Sequence, residues 1–406
     1  MEIPWRRNLY VLWIGVFFCS TAYLMVIPFM SLFIVHDLGI TDHLTLWSGF
    51  TFGITFLASA LIAPFWGSLS DKYGRKPMLL RAGFALCLVY VLNAFVRNPF
   101  ELILVRILTG LLSGYVPSAI ALIATNTPEK KVGFCLGIMS TAGAAGGIIG
   151  PLAGGILSKF VGYRESFLAA AVIVLIPTLI AWLFVRESNF DKNKARSRVI
   201  DDLRAASKNR PLMRHLTIVL IVTASVMVLE PLLSLYVLHL GASAADASFS
   251  SGIIFSAVGI STVLAAPVWA KVGERIGYRN TLIIGLVGGG LGNILQVFFH
   301  DIFGFGTLRF IYGLFFAAVF PALNALIVQT TEPEFRGRAF SLNQSAGQLG
   351  NMMGPIAGGT LAGWVSIPAV FVLNGLLLAA TAAALKLKPR AGIRRSSDQG
   401  TPAGLP

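Results

Sequence analysis

The chain has 406 residues, of which 55% are hydrophobic and only 12% charged. A soluble globular protein carries about 25% charged residues, so this composition excludes a water-soluble enzyme, a disordered chain and a secreted disulfide scaffold; the mean hydropathy of +0.76 points to a polytopic membrane protein. The net charge of +14 sits in short clusters between long apolar runs, a pattern that sets membrane topology and does not form a nucleic-acid face.

The first apolar run, residues 8–35, has no charge over 28 residues. A secretory core is about 7–15 residues and a membrane span about 20, so this run is a span and not a cleaved leader. Further runs follow at 47–69, 77–96, 100–124, 133–157, 166–185, 216–238, 249–272, 281–299, 303–329, 339–365 and 368–387. These make twelve. Backbone polar groups in hydrocarbon need internal partners, so the spans are expected to be helices. The expected fold is an all-α membrane protein of twelve transmembrane helices in two pseudo-symmetric six-helix bundles. Residues 1–185 form the first bundle, 186–215 a cytoplasmic linker, 216–387 the second bundle, and 388–406 a disordered cytoplasmic tail. With the N-terminus inside, 27 of the 32 Lys and Arg residues fall on inner segments, which places both termini in the cytoplasm.

The two halves repeat at an offset of 203 residues. Ile27-Pro28-Phe29-Met30-Ser31-Leu32 aligns with Glu230-Pro231-Leu232-Leu233-Ser234-Leu235. Trp66 aligns with Trp269, Gly74 with Gly277, and Arg106 with Arg309. One residue further on, Gly146, Gly150, Pro151, Gly154 and Gly155 align with Gly350, Gly354, Pro355, Gly358 and Gly359. Both copies put their charged turn on the same side, so each holds an even number of spans. Two parallel six-span bundles about an axis along the membrane normal are a known transporter plan, with the substrate path between them.

Several residues stand out along the chain. The turn after the second span contains Gly67, Asp71, Gly74, Arg75 and Lys76. Gly74 suits a tight turn, and Asp71 at a helix C-terminus needs a compensating partner. A partner on the other bundle would make the turn a latch between conformations; with no such partner its charges only set topology. In the fifth span Gly146, Gly150 and Gly154 share one face and let another backbone approach closely. With Gly137, Pro151 and Gly155 they are expected to form a seam between the bundles, with a bend where Pro151 removes a donor. Intramembrane charge is costly and marks function, which singles out Arg106, Arg309 and Glu230. Glu230 is the acid deepest within a span, preceding Pro231, where the helix is expected to break. A buried carboxyl that takes and loses a proton as the cavity changes sides is what antiport requires. Tyr23, Phe29, Phe33, Asn324, Asn343, Gln344 and Gln348 are candidates to line an apolar cavity with a few amides.

At these motifs the chain resembles the major facilitator superfamily. Gly67 to Lys76 is similar to its loop between spans 2 and 3, Arg106-x3-Gly110-x3-Gly114 to its span 4 motif, and Gly137-x8-Gly146-x3-Gly150-Pro151-x2-Gly154-Gly155 to the span 5 motif of its drug–proton antiporter branch. The resemblance implies the major facilitator fold and polyspecific export of amphipathic small molecules in exchange for protons, from a bacterial inner membrane, by a monomer without cofactor. It assigns Asp71 and Arg75 to the latch and Arg106 to proton coupling. The second loop copy departs from the pattern, with Tyr278 in place of Arg75 and Ala270 in place of Gly67. The alternative is a facilitator of another substrate, a sugar, a metabolite or a lipid-linked cargo. A phosphate loop for ATP, a filter-like carbonyl motif and a His-Glu-x-x-His are not found in the sequence. Cys19, Cys87 and Cys135 lie in apolar runs without metal-ligand spacing. The reading is therefore of a transporter and not an enzyme, with no metal site.

Overall fold

The computed structural model describes residues 5–187, 209–331 and 335–387. Most of the expected linker and all of the expected tail 388–406 lie outside the described residues. The regular structure is helical throughout the described residues. Span 1 comprises Trp5–Met25 and Ile27–His36, span 2 Leu44–Tyr73, span 3 Arg75–Ala94, span 4 Pro99–Leu112 and Tyr115–Asn126, span 5 Val132–Phe160, and span 6 Tyr163–Phe184. In the second half span 7 is Arg210–His239, span 8 Ala244–Ile276, span 9 Tyr278–Leu295, span 10 Ile302–Phe316 and Val319–Thr330, span 11 Arg336–Trp364, and span 12 Ile367–Leu387. Eleven of these are long and apolar enough to cross a membrane. The other, span 11, has 29 residues, and Asn343, Gln344, Gln348 and Asn351 interrupt its apolar run.

Local chemistry sets the ends. Asn98, Asn209, Ser243 and Asp301 each cap a helix by accepting a backbone N–H three residues on. Gly74 and its repeat mate Gly277 take φ of 98° and 87° and turn the chain between spans 2 and 3 and spans 8 and 9. The proline expectation is corrected. Span 7 runs unbroken through Pro231, whereas its mate Pro28 follows the one-residue interruption at Val26 in span 1. A proline forfeits one i to i−4 bond; Val26 keeps right-handed helical torsions, so even there the axis continues.

The repeat extends to single hydrogen bonds. Trp66 Nε1 donates to the Leu111 carbonyl at 2.6 Å, and Trp269 Nε1 to the Leu314 carbonyl at 2.7 Å. Lys76 Nζ reaches the Trp182 carbonyl at 2.9 Å, and Arg279 reaches the Leu385 carbonyl. Each bond ties spans of one half together, and each has its counterpart in the other. The buried core follows the same division. One cluster fills the first half, from Leu12 and Leu79 to Phe167, and another the second half around Leu282, Leu323 and Leu378. A third joins Leu32 to Leu232, Tyr236 and Phe371.

We call the side that carries the 74 and 277 turns the terminal face and the other the far face. The halves meet toward the far face. A Cβ on Gly49 would run into the Pro355 carbonyl, and one on Gly252 into the Pro151 carbonyl. These are repeat mates on repeat mates: spans 2 and 11 cross backbone to backbone, as do spans 5 and 8. Ser256 Oγ adds a bond to the Ile148 carbonyl at 2.6 Å, and Lys159 pairs with Asp246 at 2.6 Å. Toward the terminal face the glycines of spans 2 and 5 make no such crossings. A Cβ at Gly67, Gly133, Gly137 or Gly143 would meet nothing within 4 Å.

Candidate functional site

A cavity of about 470 Å³ lies in the second half, in the part of spans 7, 10 and 11 nearer the terminal face. Spans 7, 10 and 11 line it, with Thr223, Phe320, Asn324, Phe340, Asn343, Gln344 and Asn351 among its walls. Span 11 supplies the amides because it is the least apolar span. The repeat mates of Asn324, Asn343 and Asn351 are Ala121, Met139 and Gly147, so the fold itself does not demand amides there. Asn343 Oδ1 is buried without a partner, which leaves an acceptor for a ligand.

The structure sorts the expected cavity residues. Asn324, Asn343 and Gln344 line the cavity. Gln348 lies one turn along span 11 and accepts from Asn351 Nδ2 at 3.1 Å. Tyr23 is 38% exposed. Phe29 and Phe33 are corrected: both are fully buried, packed edge-on against Phe167 with ring centres 5.2 and 5.3 Å apart. They plug the first bundle near the far face and are not among the residues that line this cavity. In a membrane protein an aromatic facing lipid, cavity or bundle gives the same apolar pattern, so sequence alone did not separate these cases.

The intramembrane charges gather near the middle of the fold. Glu230 of span 7 is half-buried, with Arg309 of span 10 and Tyr23 of span 1 as its electrostatic neighbours. Tyr23 also lies in the field of Arg106 of span 4 and so stands between the charges of the two halves. Arg106 is 8% exposed; its guanidinium donates to Met30 Sδ at 3.3 Å, and its Nε has no partner. Arg309 is 6% exposed, lies 5.2 Å from the Tyr312 ring centre, and also has an unpartnered Nε. The direct ion pair among the described residues is that of Lys159 with Asp246. Glu230 and Arg309 therefore face one another without a direct ion pair.

The loop residues hold to their own half. Arg75 and Lys76 donate their backbone N–H groups to the two carboxylate oxygens of Glu187, each at 2.8 Å. Arg75 also reaches the Ala121 carbonyl at 3.0 Å. Glu187 thus caps span 3 from the end of span 6. Sequence reasoning missed it because it reads as one more charge at the start of a charged linker. Gly67 faces open space, and the side chain of Asp71 lies outside the described residues.

The glycine face of span 5 is also corrected. Gly146, Gly150 and Gly154 pack on span 1 within the first half: a Cβ on Gly146 would stand 2.6 Å from Ser20 Cβ, one on Gly150 2.8 Å from the Thr21 carbonyl, and one on Gly154 would run into the Met25 carbonyl. Gly155 alone of the motif's glycines meets the other half, where a Cβ would lie 2.7 Å from the Ser248 carbonyl. Pro151 contributes its carbonyl to Gly252, and Gly137 faces open space. The i, i+4 spacing identified a packing face; its partner depended on how six helices arrange.

Comparison with known proteins agrees with this architecture. The Major Facilitator Superfamily profile matches residues 12–262 and 220–404. Multidrug resistance protein MdtG of Salmonella typhimurium (strain LT2) is 38% identical over 382 residues, 93% of this chain and 94% of that protein; MdtG of Salmonella arizonae is similar to the same extent. Among solved structures, a bacterial homolog to the human lysosomal transporter Spinster superposes with a TM-score of 0.79 at 16% identity, covering 95% of this chain and 97% of that one. The nucleoside transporter NupG superposes with a TM-score of 0.78 at 16% identity, covering 93% and 98%. These structures support the fold. The chain is a multi-pass membrane transporter and belongs to the Major Facilitator Superfamily.

Proposed function

We propose that this protein exports amphipathic small molecules in exchange for protons by alternating access. The observation that carries the reading is one-sided contact: the backbone crossings between the halves lie toward the far face, the glycines of spans 2 and 5 toward the terminal face have no neighbour, and a cavity of apolar and amide side chains lies in the second half nearer that face. The similarity to multidrug resistance proteins over nearly the whole chain supports the cargo class. The Lys and Arg bias supports the terminal face, with both termini, lying in the cytoplasm of a bacterial inner membrane, so the cavity is open to the side from which cargo is taken. The protein works as a monomer, since each half finds its partner within the chain. The proton gradient drives it, with no bound cofactor.

Glu230 is the coupling group. Deprotonated, it is held by the field of Arg309; protonated, it lets the halves rearrange. Arg106 and Tyr23 carry the response to the first half. The latch reading for Asp71 and Arg75 is compatible with this state, in which Arg75 and Lys76 bond within their own half.

The test is efflux of a panel of fluorescent dyes from cells, with and without a proton gradient. Parent protein should expel lipophilic cationic dyes only when the gradient stands. Glu230→Gln should be expressed normally and lose uphill efflux, and Arg106→Ala should lower it. Unchanged efflux by Glu230→Gln removes that residue from the mechanism.

A further inference from the structure

Span 9 packs on span 10 through small residues. A Cβ on Gly289 would lie 2.9 Å from the Phe316 ring, and one on Gly292 3.2 Å from Tyr312 Cβ. The two helices run antiparallel, so each further turn of span 9 meets an earlier turn of span 10. Asn293, and Gln296 at the start of the 3-10 turn Gln296–Phe298 that follows span 9, come next and by this register lie level with Arg309. Span 12 closes the third side: a Cβ on Gly290 would lie 2.8 Å from the Gly375 carbonyl, and the Phe371 ring centre lies 6.0 Å from the Arg309 guanidinium.

Asn293 and Gln296 are both 0% exposed, and neither amide has a hydrogen-bond partner on its nitrogen or its oxygen. Arg309 Nε, level with them by this register, is unpartnered as well. Buried polar groups in native proteins are nearly always satisfied. Two orphaned donors and two orphaned acceptors require a ligand that both donates and accepts. An anion satisfies only the nitrogens and a cation only the oxygens, whereas water satisfies both.

The first half is less polar at these positions. The mates of Asn293 and Gln296 are Tyr90 and Asn93, and Asn93 is held to its own helix by a 2.8 Å bond to the Val89 carbonyl, with its Oδ1 alone left free. Nearby, Ser225 and Asn374 bond to one another at 2.6 and 3.0 Å, while their mates are Ala22 and Ala170. Glu230 corresponds to Ile27. The second half thus carries more unsatisfied buried amide groups at these positions than the first.

We propose that Asn293 and Gln296 are positioning residues that hold water against the Arg309 guanidinium, hydrating the space between it and Glu230 so that Glu230 ionises within the bundle. This rests on the proton-coupled reading above. The groups facing Glu230 are Arg309 on span 10 and Tyr23 on span 1, with Arg106 on span 4 beyond Tyr23 and Tyr312 beside Arg309.

The test uses the full chain in proteoliposomes, with a lipophilic fluorescent cation as cargo. The Asn293→Leu, Gln296→Met pair keeps volume and removes the water contacts. The thermal midpoint is expected to hold or rise, because unsatisfied buried groups are removed, and cation binding is expected to be unchanged. The pH for half-maximal cargo-driven proton release is expected to move up by about one unit, a tenfold change in proton affinity, since a drier site disfavours the carboxylate. Gln296→Asn, which keeps an amide, is expected to retain the parental profile. Gln296→Met alone is read in the same way if the double variant does not accumulate. An unmoved pH profile in the apolar variants overturns the proposal, and a fall in thermal midpoint with that unmoved profile assigns the amides to structure. Parent protein that releases no protons with cargo overturns the underlying proton-coupled reading instead.

Discussion

Ser31 of span 1 donates its hydroxyl to the Pro231 carbonyl of span 7 at 2.8 Å. The mirror-image bond is also made: Ser234 donates to the Pro28 carbonyl at 2.6 Å. The serines are repeat mates, as are the prolines, so the two bonds are one contact related by the pseudo-twofold axis. Both are buried and both cross between the halves. Together with the Gly49–Pro355 and Gly252–Pro151 crossings they close the far face. Each can be lost without touching the interior of either bundle, which is what a closure that must reopen needs.

Removing both hydroxyls should therefore favour the state open at the far face. A buried hydrogen bond contributes about 1 kcal/mol, so Ser31→Ala with Ser234→Ala should move the equilibrium by about 2 kcal/mol, roughly thirtyfold. Spin labels at Asp42 and Ser366, one on each half, report the change as a longer distance population. An unchanged distribution would show that the serines only pack.

The glycine crossings give a second test. Gly252→Leu puts a side chain into the Pro151 carbonyl, and Gly49→Leu does the same at Pro355. Neither enters the core of its own half. Both variants should accumulate and bind cargo, yet lose about tenfold or more in transport, because overpacking at a close backbone crossing prevents closure. Retained transport in both would contradict the assignment of these crossings to the moving interface.

Much of this was legible in the sequence. Twelve apolar runs and an offset of 203 specified the spans and their duplication, because a repeat preserves residue type at fixed spacing. Ser31 and Ser234 lay in the aligned segments in plain view. Their bonds to the opposite half were not legible, since they depend on where the twofold axis passes. Phe29 and Phe33 were misplaced for a related reason: helices that are apolar all round give no pattern that separates lipid, cavity and core. Pro28 and Pro231 make the same point, since equivalent prolines interrupt span 1 and leave span 7 continuous.

Glu187 should behave as a helix cap. Its carboxylate satisfies two backbone donors at the start of span 3, where the helix dipole also favours negative charge. Glu187→Ala should lower stability by about 1–2 kcal/mol, read as a lower thermal midpoint in detergent. Glu187→Asp should recover part of the loss only if the backbone contacts matter, and equal melting of all three proteins would contradict the cap.

The Lys159–Asp246 pair at the rim should matter little by itself. Both side chains are partly exposed, and such pairs contribute about 0–1 kcal/mol. Single charge reversals should shift the Asp42–Ser366 distance populations by about fivefold or less, and Lys159→Asp with Asp246→Lys should restore them. A larger effect, or no rescue, would assign these residues a different role.

The central claim is exchange of cargo for protons across one pair of rocking halves. The most direct measurement uses purified protein in liposomes with a pH-sensitive dye trapped inside and a pH gradient imposed in either direction. Adding a lipophilic cation should discharge the gradient only when the protein is present, and reversing the gradient should reverse net cargo movement. The Glu230→Gln protein should bind the cation and leave the gradient standing. Cargo movement against its gradient with no pH difference, or gradient discharge by Glu230→Gln equal to the parent, would contradict the account.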